Sequence, residues 1–276
     1  MLSANAASDR RRQREMRLSA MQNTVVIDCF PTSAGRYPAE YAIVAIDVVR
    51  ATTTAITAAA AGCRCFPVPT LEAALALAKM IGNPLLVGEQ KGFLPAGFDL
   101  NNSPSELLAR DDIDRPVILL SSTGTGLCYE ASKRHHSVFL ACLRNYVSVV
   151  GCLAERFRNV AVIGAGNGDE FREEDQLCCA WIAERLLEIG YVAENTNTLD
   201  IVRRWSNKPA DAWVNNKSAA YLRTSRQLAD LEFILTHVAD LTAQFTLQHG
   251  EVIMSGYEFN SGLPDWASKG ISGAGR

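Results

Sequence analysis

An α/β fold, built on a sheet that is parallel at least in part with helices on both faces, is predicted by three features of the sequence. From Tyr41 onward short β-branched apolar runs alternate with helical stretches, and one run of Val and Ile feeds straight into a glycine turn, "VAVIGAGNGDEFREED" from Val160 to Asp175. With 276 residues, of which 48% are hydrophobic, the chain can bury a substantial core while exceeding the usual length of one domain only modestly.

The elements follow in order. "YAIVAID" leads through "VVRATTT" to an Ala-rich helix ended by Gly62. "PLLVGE" leads to "QKGFLPAGFDLNNSPSE", where Ser103, Pro104 and Glu106 make a helix start of the capping-box kind. "PVILL" leads to "SSTGTG" and a helix from about Leu127 to Arg134, and "SVFLAC" leads to "LRNY" and a helix to about Arg158. "NVAVIGAG" leads to the acidic loop and the long helical stretch "EDQLCCAWIAERLLEIG". From about Glu194 the chain reads mainly as helix with a terminal hairpin-like "FTLQHGEVI", a third that offers little chemistry. Residues 24–256 are expected to form the folded domain, between a disordered basic arm at 1–23 and a flexible Gly- and Ser-rich tail at 257–276.

Composition excludes several function classes. No apolar run reaches the roughly 18 residues that span a bilayer, and the eight cysteines show neither paired CxxC spacing nor the density of a disulfide scaffold. Reduced thiols and a cytoplasmic location follow as expectations, with Cys63, Cys65, Cys178 and Cys179 as small core residues. The first 23 residues carry five Arg against Asp9 and Glu15, or +3, which leaves −6 on the remainder of a chain whose whole is −3. No basic, aromatic-bearing face is visible in that acidic body, so neither nucleic acid nor a membrane is an expected partner.

The glycine turn raises the central chemical question. A dinucleotide-binding GxGxxG would place its third glycine at position 169, where this chain has Asp169. Pyrophosphate sits at a helix N-terminus because free N–H groups and the helix dipole favour an anion, and Asp169, Glu170, Glu173, Glu174 and Asp175 crowd that turn with opposing charge. Even with surface-like screening a like-charge pair at about 4 Å costs about 4 kcal/mol. Glu173 and Glu174 read as solvated first-turn acids, while Glu170 and Asp175 are functional candidates. Carboxylates in a glycine-rich loop suit a hard cation, which takes oxygen ligands and itself attracts phosphate.

Other strand ends fit that reading, since ligands of such sheets collect beyond the carboxyl ends of the strands. Asp47 ends one apolar run and Glu89 another, so Asp47, Glu89 and Asp175 are candidate ligands of a shared metal. Arg50 follows Asp47 by three residues and opens onto Thr52, Thr53 and Thr54 at a helix start, a cradle for phosphate with a bidentate cation beside it; the plainer alternative is an Arg50–Asp47 pair with one Thr as a cap. "SSTGTG" is a second hydroxyl and glycine loop, without the Lys of a P-loop. The histidines are poor bases: His135 and His136 follow a basic helix end, and His237 and His249 are isolated. Metal-activated water is the simpler chemistry.

"AIDVVRATTT", "GEQKGFLPAGFDLNNSP", "LLSSTGTG" and "GAGNGDEFREED", in this order and approximate spacing, resemble the 2-phosphosulfolactate phosphatase (ComB-like) family over about Val25 to Val252. The resemblance implies a three-layer α/β/α fold with a largely parallel or mixed sheet, and Mg²⁺-dependent hydrolysis of a phosphate monoester, 2-phospho-3-sulfolactate, to 3-sulfolactate and phosphate. It implies catalytic roles for Asp47, Arg50 and Glu170, metal ligation by Asp47, Glu89 and Asp175, and substrate contacts from Thr52, Thr53, Asn102, Ser122, Gly124, Thr125 and Asn145. The expected partners are a small phosphorylated anionic metabolite and further copies of the chain in a homo-oligomer. The hydroxyl loop departs from the family's usual Thr-Asn-Gly-Thr-Arg at Thr123 and Gly126, which removes an amide and a cation from the anion pocket, and Arg226 stands where the family has Gly. Two other functions fit some of the residues: a non-catalytic phosphometabolite-binding protein on the same scaffold, and a nucleotide- or S-adenosylmethionine-dependent transferase resting on Gly164, Gly166 and Gly168.

Overall fold

A computed structural model of the chain describes residues 22–166 and 170–256. The expected basic arm up to residue 21 and the expected tail from 257, together with Gly168 and Asp169 of the glycine turn, lie outside the described residues.

Among the described residues ten strands form two sheets. The larger has seven strands: β1 (Thr24–Cys29), β2 (Ala42–Ile46), β6 (Val138–Ala141), β7 (Asn159–Gly164), β8 (Val192–Ala193), β9 (Gln244–Gln248) and β10 (Glu251–Ser255), in the spatial order β10-β9-β6-β2-β7-β1-β8. Its centre is parallel, with β2 between β6 and β7 and β7 beside β1, while β9 pairs antiparallel with both β6 and β10. The smaller is a parallel sheet of β3 (Cys65–Val68), β5 (Val117–Leu120) and β4 (Leu85–Gly88), in the order β3-β5-β4. Sequence periodicity predicts one sheet. The second arises because the strand runs at 65–68, 85–88 and 117–120 pair only among themselves.

Alternation of side chains along each strand assigns the layers. Val25 and Ile27 of β1, Val44 and Ile46 of β2, and Val160 and Val162 of β7 join a core with the helices α5 (Tyr146–Arg156) and α6 (Glu173–Glu188), which contribute Val149, Leu153, Leu177 and Ile182. The intervening residues Val26, Ile43, Ala45, Ala161 and Ile163 face the other way, onto α1 (Ala51–Ala60) and α4 (Gly124–Ser132). The sheet with helices on both faces is the three-layer α/β/α arrangement. The same second core includes Cys65, Leu85, Val117 and Leu119, so α1 and α4 are covered on their far side by the small sheet. Helix α1 is buried on nearly every side, which its run of Ala and Thr permits: small side chains let two sheets approach one helix. Beyond the small sheet, Ile118 and Leu120 pack on α2 (Leu71–Ala78) through Ala74.

Local signals set the element ends. Ser103 caps α3 (Pro104–Leu108) by accepting from the Glu106 N–H at 3.1 Å, and Pro104 needs no donor in the first turn, as the sequence predicts. The terminal hairpin also forms, with Glu251 opposite Gln248. Three further helices among the described residues, α7 (Thr196–Trp205), α8 (Lys217–Thr224) and α9 (Leu228–Thr236), precede the hairpin. Arg226, between α8 and α9, has φ +61°, the left-handed region in which glycine is least strained. No helix among the described residues is long and apolar enough to cross a membrane.

Candidate active site

The carboxyl end of β2 carries Asp47 into a tight turn that ends in α1. One Asp47 carboxylate oxygen accepts the Ala51 N–H at 3.1 Å, and its carbonyl accepts the Thr52 N–H at 3.0 Å. Asp175, in the first turn of α6, reaches the same turn and accepts the Val48 N–H at 2.7 Å. Two glycines make room for these approaches. A Cβ on Gly124 would lie 2.2 Å from an Asp47 carboxylate oxygen, and one on Gly164 would lie 3.1 Å from the Asp175 Cβ.

These residues open onto a cavity of about 600 Å³ between the ends of the two sheets. Asp47, Arg50, Glu89, Asn102, Ser122, Glu170 and Asp175 line it, so seven of the expected site residues are brought together from segments far apart in the chain. The remaining five expected contacts, Thr52, Thr53, Gly124, Thr125 and Asn145, do not line it. The Thr52 hydroxyl accepts the Asp47 N–H at 2.9 Å and donates to the Ala141 carbonyl at 2.8 Å; the Thr53 hydroxyl donates to the Val48 carbonyl at 2.8 Å. Thr125 and Ser121 bond each other's backbone N–H at 3.0 Å, and Asn145, fully buried, accepts from Cys142 N–H and donates to the Leu140 carbonyl. Each side chain satisfies the backbone of a strand-to-helix turn, which is where its hydrogen-bonding capacity goes. Gly124 serves by the space it leaves for Asp47.

Arg50 does not pair with Asp47, the plainer reading of their spacing. Its guanidinium donates to Asp230 of α9 and, at 3.3 Å, to the Asn101 side chain. Both members of that ion pair are buried, and Asp230 also accepts from the hydroxyls of Ser103 at 2.7 Å and Ser105 at 2.6 Å. The last third of the chain therefore does supply chemistry, a correction to its expected blandness: Asp230, Lys217, Ser218 and Tyr221 all reach the site or its support. An acid among Leu231, Phe233 and Ile234 on the buried face of α9 is the one sequence signal that pointed to Asp230, because such a group requires a partner.

The acids of the glycine turn divide differently from the expectation. Glu173 is a surface residue paired with Arg204 at 2.5 Å. Glu174 is buried, not a solvated first-turn acid, and accepts from Asn216 at 2.5 Å. Glu170 is exposed and bonded through both oxygens to Lys217 at 2.7 Å, which holds its carboxyl below the usual range. Burial, reinforced by the charges of Glu89 and Glu174, pushes Asp47 up to about 7. Burial and the neighbouring Asp47 and Glu174 push Asp175 well above the usual carboxylate range, and burial raises Glu174. Asn102, 2% exposed, has a side-chain oxygen without a partner in the cavity wall. Such a buried orphan is met by ligand or water. His135, which follows a basic helix end in the sequence, is buried with its ring 3.0 Å from the Ala34 carbonyl.

Paired buried carboxylates and a clamped arginine, at the strand ends of a layered α/β protein, define a class with a polar cavity for a small charged ligand. Residues 28–242 match the model of the 2-phosphosulpholactate phosphatase family, and the chain belongs to that family. Among its relatives, the probable 2-phosphosulfolactate phosphatase of Deinococcus radiodurans is 32% identical over 211 residues, covering 75% of this chain and 86% of the relative. The protein of the same name from Thermus thermophilus is 30% identical, covering 75% and 87%. That of Pseudothermotoga lettingae is 35% identical over 150 residues, covering 53% and 63%.

Proposed function

We propose that the chain is a phosphoric monoester hydrolase that uses Mg²⁺ to convert 2-phospho-3-sulfolactate to 3-sulfolactate and phosphate. The observation that carries this reading is the pair Asp47 and Asp175, two buried carboxylates that line one cavity and are each pushed above the usual carboxylate range by burial. Such a pair lacks positive charge, and the names of the relatives supply the substrate.

The donor set fits Mg²⁺, which keeps several waters and is held by one or two carboxylates together with substrate phosphate. Asp47 and Asp175 are those two. Glu89 has both oxygens engaged, by Ser122 N–H at 2.6 Å, Ser122 hydroxyl at 2.7 Å and Gly92 N–H at 2.6 Å. Among the described residues no group of three or more Asp, Glu, His or Cys is arranged to hold a metal, so the reading rests on the pair. When bound, Mg²⁺ would supply charge neutralisation to the phosphoryl oxygens.

The chain's own groups do the rest. Arg50, fixed by Asp230 and Asn101, presents a planar cation to the phosphoryl group. Of the two acids beside the cavity that could move a proton, Glu170, stabilised as a carboxylate by Lys217, is a poor donor, whereas Asp47 lies at the buried end of the cavity, where it can orient water. Acid–base work therefore falls to Asp47. The eight free cysteines support a cytoplasmic location.

Phosphate release from 2-phospho-3-sulfolactate, stopped by EDTA and restored by Mg²⁺, is the expected result. Release that EDTA leaves untouched would remove the metal from the reading, and no release from this substrate in Mg²⁺ would remove the substrate.

A further inference from the structure

Among the described residues four cations line the cavity, and two are already paired: Arg50 with Asp230 and Lys217 with Glu170. The side chains of Lys91 and Arg172 make no hydrogen bond or ion pair among the described residues. They come from different sides of the fold, Lys91 from the loop after β4 of the small sheet and Arg172 from the residue before α6 on the large one.

Lys91 is not carried on a loose loop. Its backbone is left-handed at φ +53°, and its N–H donates to the Ser122 hydroxyl at 2.9 Å. That hydroxyl donates to Glu89, which also accepts the Gly92 N–H. Gln90 and Phe93 close the turn by exchanging backbone bonds of 2.9 and 3.1 Å. From the other side, the Tyr221 hydroxyl of α8 donates to the Gly92 carbonyl at 2.8 Å, and a Cβ on Gly92, at φ +83°, would come within 3.1 Å of that hydroxyl oxygen. Glu89 thus organises a turn that spans the cavity from the small sheet to α8 and fixes where Lys91 starts.

Arg172 acts through space on Glu170 and Glu174 without contacting either, and Lys91 contacts no anion among the described residues; cations so placed at a cavity wall favour an oxyanion, and their number bears on which one. The phosphoryl group of a monoester is accounted for by the cation proposed at Asp47 and Asp175, with the remaining donor capacity of the Arg50 guanidinium, whose charge Asp230 already balances, beside it. A neutral alcohol moiety would leave Lys91 and Arg172 without partners. An alcohol carrying a further acid would not.

We propose that Lys91 and Arg172 bind the second acidic group, a carboxylate or sulfonate, of a phosphorylated hydroxyacid, and that Glu89 is the positioning residue for Lys91. This assignment rests on the phosphatase reading and deepens it, by making the two cations the determinants that separate acidic esters from neutral ones.

The test uses the full chain with Mg²⁺ and two substrates, 2-phospho-3-sulfolactate and isopropyl phosphate, which keeps a secondary phosphate ester and lacks both acids. Lys91→Met and Arg172→Gln should each lower the ratio of kcat/KM between the acidic and the neutral ester by about tenfold, the worth of one charge-assisted hydrogen bond, with the loss carried by KM. Lys91→Arg should recover most of the ratio. Glu89→Gln should lower it as Lys91→Met does. Calorimetry with 3-sulfolactate provides a readout free of turnover, in which affinity should fall by a similar factor in Lys91→Met and Arg172→Gln. A ratio that stays at the wild-type value in both, or equal losses on both esters, would overturn the assignment while leaving the hydrolase reading intact. A wild-type protein that hydrolyses neither ester, yet binds 3-sulfolactate through Lys91 and Arg172, would do the reverse.

Discussion

Replacing Asp47 by Asn is expected to lower phosphate release by about 10³-fold or more, the scale of removing a group that carries both charge stabilisation and proton transfer. The same change should make the metal-free protein more stable at neutral pH. Asn keeps the oxygen that accepts the Ala51 N–H and removes a charge that burial and two nearby acids oppose. The folded-state value of about 7 lies above the unfolded value of about 3.9. Folded protein therefore holds more protons than unfolded protein across that window, and stability falls as pH rises through it before levelling off. The gain from Asp47→Asn should be absent below about pH 4 and complete above about pH 7, as a rise of several degrees in Tm in EDTA. Full turnover by the variant, or a Tm difference independent of pH, would contradict the role given to Asp47.

Removing Asp230 should have the largest effect on stability. Asp230→Ala leaves the Arg50 guanidinium, itself 4% exposed, with only the Asn101 side chain, and takes from the hydroxyls of Ser103 and Ser105 their shared carboxylate acceptor. Breaking a buried pair from one side costs about 3–5 kcal/mol. Replacing both partners, as in Arg50→Met with Asp230→Leu, should recover much of that loss, because no uncompensated charge remains. Thermal melts of the single and double variants measure both. A loss below about 1 kcal/mol in Asp230→Ala would place the pair among ordinary surface contacts.

The parts of this molecule that depend on near neighbours in sequence are legible from it. The runs at 42–46, 117–120, 138–141 and 159–164 form strands where their β-branched residues indicate, and Ser103 caps its helix by the spacing to Glu106. The strand Cys65–Val68 escapes such reading because Pro67 interrupts a four-residue run; it is tolerated because β3 is an edge of the small sheet. The division into two sheets escapes as well, since apolar periodicity marks a strand without naming its neighbour. At the site, Asp47, Glu89 and Asp175 stand out as acids next to apolar or glycine-rich segments, and all three line the cavity. Thr52, Thr53, Thr125 and Asn145 are residue types that serve ligands and backbone turns equally well, and only three-dimensional contacts show their oxygens and nitrogens committed to the turns. Asp230 stands out locally as a buried acid, but its partner Arg50 lies 180 positions away, beyond any local pattern. Lys91 looks like a solvated surface lysine until its turn is seen tied to Glu89 and Tyr221.

The central claim, that the acid-bearing glycine turn belongs to a cation and phosphate site and not to a dinucleotide site, is tested most directly by calorimetry with inorganic phosphate in the presence and absence of Mg²⁺. Each ligand neutralises the other, so phosphate should bind about tenfold or more tightly when Mg²⁺ is present, within the usual range of coupling between sites. Asp175→Asn should weaken that coupling, and Glu173→Gln, which alters only a surface pair with Arg204, should leave it in place. NAD, NADP and S-adenosylmethionine should show no binding. Phosphate affinity indifferent to Mg²⁺, together with nucleotide binding that survives EDTA, would contradict the account.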